Sequence, residues 1–127
     1  MNIREKSQIV RHIERNGGVL IVSYETLRIE DGLFARPEWF YTILDEAQKI
    51  KNWKSQVYQA AIALKAKHRL LMSGTPLQNS LQELWSLFSF VQPDLLGPLH
   101  FFERNLCDTI LKGGFSKASQ KEIELSQ

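Results

Sequence analysis

An α/β layer architecture built on a mainly parallel sheet is predicted by three features of the 127-residue sequence. Short apolar runs stand at residues 19–24, 39–44 and 68–72, segments with helical apolar spacing lie between and around them, and polar residues cluster where two of the runs end. The run at residues 19–24, apolar at nearly every position, suits a strand buried on both faces, as in parallel sheets, better than a half-exposed strand with alternating polarity. Strand, helix and strand in repetition then imply crossover connections of one hand and helices layered on the sheet.

Taken in order, residues 3–16 place Ile3, Ile9, Val10 and Ile13 at approximately helical spacing among charges, and Asn16-Gly17-Gly18 is a stop signal, so a surface helix is expected there. Residues 19–24, Val-Leu-Ile-Val-Ser-Tyr, read as the first buried strand. The following stretch holds a turn-like Glu30-Asp31-Gly32 and a break at Pro37, after which residues 39–44 form a second strand that stops abruptly at Asp45-Glu46. Val57, Ala60, Ala61 and Leu64 recur helically within residues 54–67, and residues 68–72 make a third strand ending in Ser73-Gly74-Thr75-Pro76. Ser80 with Glu83 three residues later is a capping-box pattern opening a helix that carries Leu81, Leu84, Trp85, Leu87, Phe88 and Val91 and is ended by Pro93. Trp85, Leu84, Leu87 and Phe88 are assigned to helix packing, and Trp39 with Phe40 to the core. Residues 101–111 suggest a further short helix, Gly113-Gly114 a turn, and the polar residues after them a helix fragment or frayed tail.

Composition narrows the function classes. With 43% hydrophobic and 24% charged residues the chain is globular in type, and its length fits one domain burying roughly two-thirds of its extended surface. A net charge of +2 does not by itself argue for nucleic-acid binding. The lone cysteine, Cys107, excludes an internal disulfide and a cysteine-rich zinc site, and His12, His68 and His100 lack metal-ligand spacing. Residues 1–15 are interspersed with charges and form no signal-peptide core, and no stretch approaches the roughly 20 apolar residues of a membrane span. No membrane role is expected.

In a parallel sheet, ligands gather at the carboxyl ends of the strands, where Asp45-Glu46 and Ser73-Gly74-Thr75 both fall. Two acids after an apolar strand match the acidic segment of a nucleotide hydrolase, in which one carboxylate faces Mg²⁺ and the next orients or deprotonates the attacking water. A rigid strand fixes both groups, and phosphoryl transfer depends mainly on positioning and electrostatics. The dipeptide alone reads more readily as a solvated strand end with a helix N-terminus nearby.

The longer string is more specific. Ile-Leu-Asp45-Glu46-Ala47-Gln48-Lys-Ile-Lys-Asn, then Leu-Leu-Met-Ser73-Gly74-Thr75-Pro-Leu-Gln78-Asn79, then Glu83-Leu-Trp-Ser-Leu-Phe88 resembles the SNF2 family of helicase-like ATPases in helicase superfamily 2. Residues 45–48 look like its motif II and residues 73–79 like its motif III, while the Ser-Tyr-Glu at residues 23–25 resembles the signature that precedes motif II. Ala47-Gln48 stands where family members often have Gly-His, and Trp53 where proline is common. Residues 93–99 together with 110–119 look like the corresponding stretch of the Cockayne syndrome group B branch.

The resemblance implies that residues 1–127 are part of a first RecA-like lobe, a three-layer fold of the P-loop NTPase type; from their polarity, residues about 113–127 read as a helix fragment or a frayed tail. It implies ATP and Mg²⁺ as cofactors in a complete motor, double-stranded DNA and the chromatin or transcription machinery as partners, and a nuclear setting. Residue by residue, Asp45 would hold Mg²⁺ through water and Glu46 would polarise the hydrolytic water. Gln48, Ser73, Gly74 and Thr75 would sense the nucleotide, and Ser23, Tyr24, Gln78 and Asn79 would lie near the DNA backbone. Lys49, Lys51 and Lys54 read either as followers of a phosphate backbone or as a solvated helix entry.

No G-x-x-x-x-G-K-[ST] phosphate loop occurs in the 127 residues, so the phosphate-loop strand and a second lobe would be missing segments that the chain needs as partners. Loss of an arginine finger alone costs roughly 10³ to 10⁵ in rate, and the chain by itself is expected to be inactive and, with a bare sheet edge, prone to association. The sequence leaves three readings open: a piece of an ATP-driven DNA translocase, a non-catalytic DNA or chromatin interaction module, or an unrelated small α/β protein. A structure with Asp45-Glu46 and Ser73-Gly74-Thr75 on opposite sheet edges would favour the third.

Overall fold

The computed structural model describes residues 1–74 and 80–106. Cys107, the Gly113-Gly114 turn and the tail expected over 113–127 lie outside them. Helix α1, Ile3–Asn16, is opened by a reciprocal cap: the Asn2 side chain accepts from the Glu5 N–H, and the Glu5 carboxylate accepts from the Asn2 N–H. It closes where expected, because Gly17 at φ 77° takes a conformation that costs a side-chain-bearing residue more, and its N–H bonds the Ile13 carbonyl. Only Val10 of α1 is buried, as suits a surface helix.

The stretch expected as a turn holds two short helices, α2 (Tyr24–Ile29) and α3 (Asp31–Ala35). Lys6 reaches across to Glu30 at their junction, 3.2 Å away, and so ties α1 to it. Strand β1, Glu38–Leu44, is followed by a 3₁₀ turn at Ala47–Ile50, helix α4 (Gln56–Ile62) and strand β2 (Lys65–Leu71). The two strands are parallel, in register from Glu38↔Lys65 to Leu44↔Leu71. Helix α5, Leu81–Val91, begins at Ser80, whose hydroxyl accepts from the Glu83 N–H, and residues 99–106 are helical. Instead of closing the capping box, the Glu83 carboxylate lies 3.8 Å from the Lys51 ammonium.

Four sequence expectations need correction. Residues 19–23 form no strand: Val19 and Ile21 are 86% and 90% exposed, and a cleft of about 810 Å³ separates this segment from β1. A strand exists through its ladder partner, which an apolar run cannot specify by itself. The sheet among the described residues therefore has two strands rather than the three expected. Second, α4 ends at Ile62 and β2 starts at Lys65, three residues before the expected strand. The polar Lys65-Ala66-Lys67 breaks the apolar run, yet its backbone already pairs with β1. Third, Phe40 is 62% exposed rather than core, while Trp39 is partly buried and its indole N–H donates to the Phe34 carbonyl.

The fourth concerns α5, where Phe88 is 45% exposed and Phe90 is fully buried. Apolar residues surround most of this helix, so two faces were competitive inward candidates. The one chosen carries Ser86, Leu87 and Phe90 at i, i+1 and i+4. Ser86 is tolerated inside because its hydroxyl donates to the Gln82 carbonyl one turn back. Arg69 of β2 closes the packing from the other side, donating to the Leu64 and Phe90 carbonyls at 2.6 and 3.0 Å with its guanidinium 5.1 Å from the Phe90 ring centre. One side chain thus joins β2, the residues after α4 and the end of α5. The core continues through Leu27, Phe34, Leu44, Ile50, Tyr58, Ala60 and Ala61, and Trp53 packs edge-on to Trp85 at 6.5 Å. Among the described residues no helix is long and apolar enough to cross a membrane.

Candidate functional site

Because β1 and β2 are parallel and in register, the chain leaves the sheet at Asp45 and at Ser73 side by side. The ladder continues past the strands: the Met72 N–H donates to the Leu44 carbonyl and the Ala47 N–H to the Met72 carbonyl, each at 2.9 Å. The Gln48 side-chain oxygen accepts from the Ser73 hydroxyl at 3.1 Å, a direct link between the two polar segments. Over the described residues this is the convergence expected from sequence, and the opposite-edge arrangement that would have favoured an unrelated α/β protein is not found. Thr75, Gln78 and Asn79 lie outside the described residues.

Asp45 and Glu46 are both exposed at this rim. Glu46 adopts left-handed backbone, φ 52° and ψ 57°, which costs a residue with a Cβ on the order of 1–2 kcal/mol. The turn is held from three sides. The Glu46 N–H donates to the Asp45 carboxylate at 2.8 Å, the buried Ala47 and Ile50 anchor the 3₁₀ turn that follows, and the Tyr24 hydroxyl donates to the Asp45 carbonyl at 2.5 Å. Sequence reasoning missed this kink, since glycine, asparagine or aspartate would have signalled it and glutamate does not.

Tyr24, expected near DNA, is thus engaged with the acidic turn, and Ser23 caps α2, accepting from the Thr26 N–H and donating to the Thr26 hydroxyl. Burial, and after it the negative charges of Asp45 and Glu46, pushes Tyr24 up to about 12 from the ordinary 10.0, because each disfavours the phenolate. The folded chain therefore keeps a proton that the unfolded chain sheds near pH 10. This contribution to stability is complete below pH 10 and is lost as pH rises through 12. Burial raises Tyr58 in the same direction. Urea unfolding between pH 9 and 12 is expected to show a decline in stability that is shallower in Tyr24→Phe, and equal slopes would contradict this assignment.

Among the described residues no three His, Cys, Asp or Glu side chains converge as a metal cage. The donor set still fits Mg²⁺, which is commonly held by one or two carboxylates together with water and substrate phosphates. Asp45 is the matching carboxylate at the strand end, with Glu46 next to it. Among the described residues, nothing lies within 4 Å of where a Cβ on Gly74 would stand. Of the lysines considered for phosphate contact, Lys51 faces Glu83 and Lys54 stands 5.3 Å from the Trp53 ring centre.

A family model described as "SNF2-related domain" matches residues 1–126. The chain is 40% identical over 120 residues to the mouse DNA excision repair protein ERCC-6, covering 94% of this chain and 8% of that protein. It is 36% identical over 117 residues to the DNA repair and recombination protein RAD26 of Saccharomyces cerevisiae, covering 92% of this chain and 11% of that one. The similarity expected to the Cockayne syndrome group B branch is met by ERCC-6 (CSB) and RAD26. Among solved structures, the Sulfolobus solfataricus SWI2/SNF2 ATPase core in complex with dsDNA superposes with a TM-score of 0.63 at 34% identity, over 80% of this chain and 21% of that one. The chain therefore spans a small part of the relatives it matches.

Proposed function

The chain belongs to the SNF2-related domain family, and on that premise we propose that it is part of the first RecA-like lobe of an ATP-driven double-stranded-DNA translocase. The observation that carries this reading is the pairing of Asp45-Glu46 with Ser73-Gly74 on adjacent parallel strand ends, joined through Gln48. In this reading Asp45 would be the carboxylate that holds Mg²⁺, which would supply neutralisation of phosphate charge, and the chain's part is to fix that carboxylate at the end of a rigid strand. Glu46 orients the attacking water and accepts its proton. Gln48 and Ser73 relay the state of the nucleotide between the two strand ends, with Thr75 in the same motif, and DNA contact is assigned to Gln78 and Asn79 from the motif alone. ATP and Mg²⁺ act only once a phosphate loop and a second lobe complete the motor. The resident machinery is then transcription-linked repair or chromatin remodelling in the nucleus, a reading supported by the repair functions named for ERCC-6 and RAD26.

The test compares the isolated 127 residues with the same residues joined in frame to a phosphate-loop segment and second lobe from an SNF2 relative. The isolated chain is expected to hydrolyse no ATP with or without duplex DNA. The joined protein is expected to gain DNA-stimulated hydrolysis. DNA binding without hydrolysis in the joined protein would favour a non-catalytic interaction module instead.

A further inference from the structure

We propose that Tyr24 is a positioning residue for hydrolysis, its hydroxyl locking the Asp45–Glu46 peptide in the orientation that aims the Glu46 carboxylate. This rests on the reading of Asp45-Glu46 as the metal-and-water pair. The peptide between the two acids has a grip at each end. Its carbonyl accepts from Tyr24 at 2.5 Å, and its N–H donates to the Asp45 carboxylate at 2.8 Å. Rotating this peptide would break both bonds and move Glu46 out of its left-handed conformation. Because that conformation is costly for glutamate, the backbone relaxes towards an ordinary one once a grip is lost, and the Glu46 side chain swings with it.

Tyr24 is well placed for this task by its own element. It is the first residue of α2, whose Ser23 cap and buried Leu27 fix the start of the helix, and the ring packs against the hydrophobic core. The tyrosine thus acts from the core side of the turn, leaving the outer side of both carboxylates to solvent and ligand. A hydroxyl suits the position better than a charged donor. It is neutral throughout the physiological range and donates one directional bond without pairing with the carboxylates that must face the metal and the water.

The experiment is Tyr24→Phe in the joined motor, with Glu46→Gln as the reference variant. Expected for Tyr24→Phe is a fall of about tenfold in kcat at saturating ATP and DNA, with KM for ATP and the dissociation constant for duplex DNA unchanged within about twofold, the pattern of a lost transition-state interaction. Replacement of Tyr24 by 3-fluorotyrosine, which restores the hydroxyl, is expected to restore kcat. An unchanged kcat in Tyr24→Phe beside an inactive Glu46→Gln overturns the positioning role alone, and weakened DNA binding with unchanged kcat assigns Tyr24 to the DNA contact. Full activity in Glu46→Gln overturns the underlying reading of the acidic pair. Should Tyr24→Phe not fold, the ¹³C resonance of the Asp45 carbonyl is compared between the tyrosine and 3-fluorotyrosine proteins. The more acidic hydroxyl is expected to move it, and an unmoved resonance overturns the proposal.

Discussion

Glu46→Gln in the joined motor is expected to lower the DNA-stimulated hydrolysis rate by roughly 10² to 10⁴, the usual contribution of a positioned general base. Glutamine preserves the volume and the hydrogen-bonding reach of the side chain but cannot accept the proton of the attacking water. Nucleotide affinity and DNA affinity are expected to remain near those of the parent, since neither depends on that proton transfer. The left-handed backbone at residue 46 is no harder for glutamine than for glutamate, so the fold should survive. Steady-state hydrolysis measured alongside filter binding of nucleotide decides the matter. A loss of less than tenfold would remove Glu46 from the chemistry.

The largest effect on stability is expected from Phe90→Ala. The ring is fully buried against the Arg69 guanidinium, at the junction of α5 with β2. Truncating a buried phenylalanine costs about 3–5 kcal/mol, against a total of roughly 5–15 kcal/mol for an ordinary domain. The urea midpoint of the 127-residue chain should fall accordingly. Phe88→Ala, two positions away on the outer face of the same helix, is expected to change stability by less than about 1 kcal/mol. Equal losses in the two variants, or a greater loss at Phe88, would mean that α5 packs by its other face.

The comparison of these two phenylalanines shows where sequence reading reaches its limit. Helix α1 was legible to its last residue because polar residues left a single apolar stripe and Gly17-Gly18 marked its end. Helix α5 was legible as a helix but not in its orientation, because apolar side chains project in nearly every direction. Strand β1 was legible from its apolar run and acidic stop, whereas the equally apolar residues 19–23 lie exposed beside a cleft. The difference is a backbone partner, and partners are set by distant segments. Lys65-Ala66-Lys67 makes the converse case: a polar stretch is strand because β1 stands alongside it.

For the candidate site, the order of the motifs and the type of each side chain were readable, because acids after a buried strand and a Ser-Gly-Thr after its neighbour carry their chemistry in their covalent structure. By itself the sequence determined the family, the two strand-end segments and the acids on offer. Only the tertiary structure decided that Tyr24 grips the Asp45 carbonyl, that Ser73 donates to Gln48, and that Glu46 sits in left-handed backbone. The physical reason is that each of these depends on groups brought together by strand register and helix packing. Tyr24 and Asp45 are 21 residues apart, and Gln48 and Ser73 are 25 apart. No local periodicity encodes a hydrogen bond across such separations.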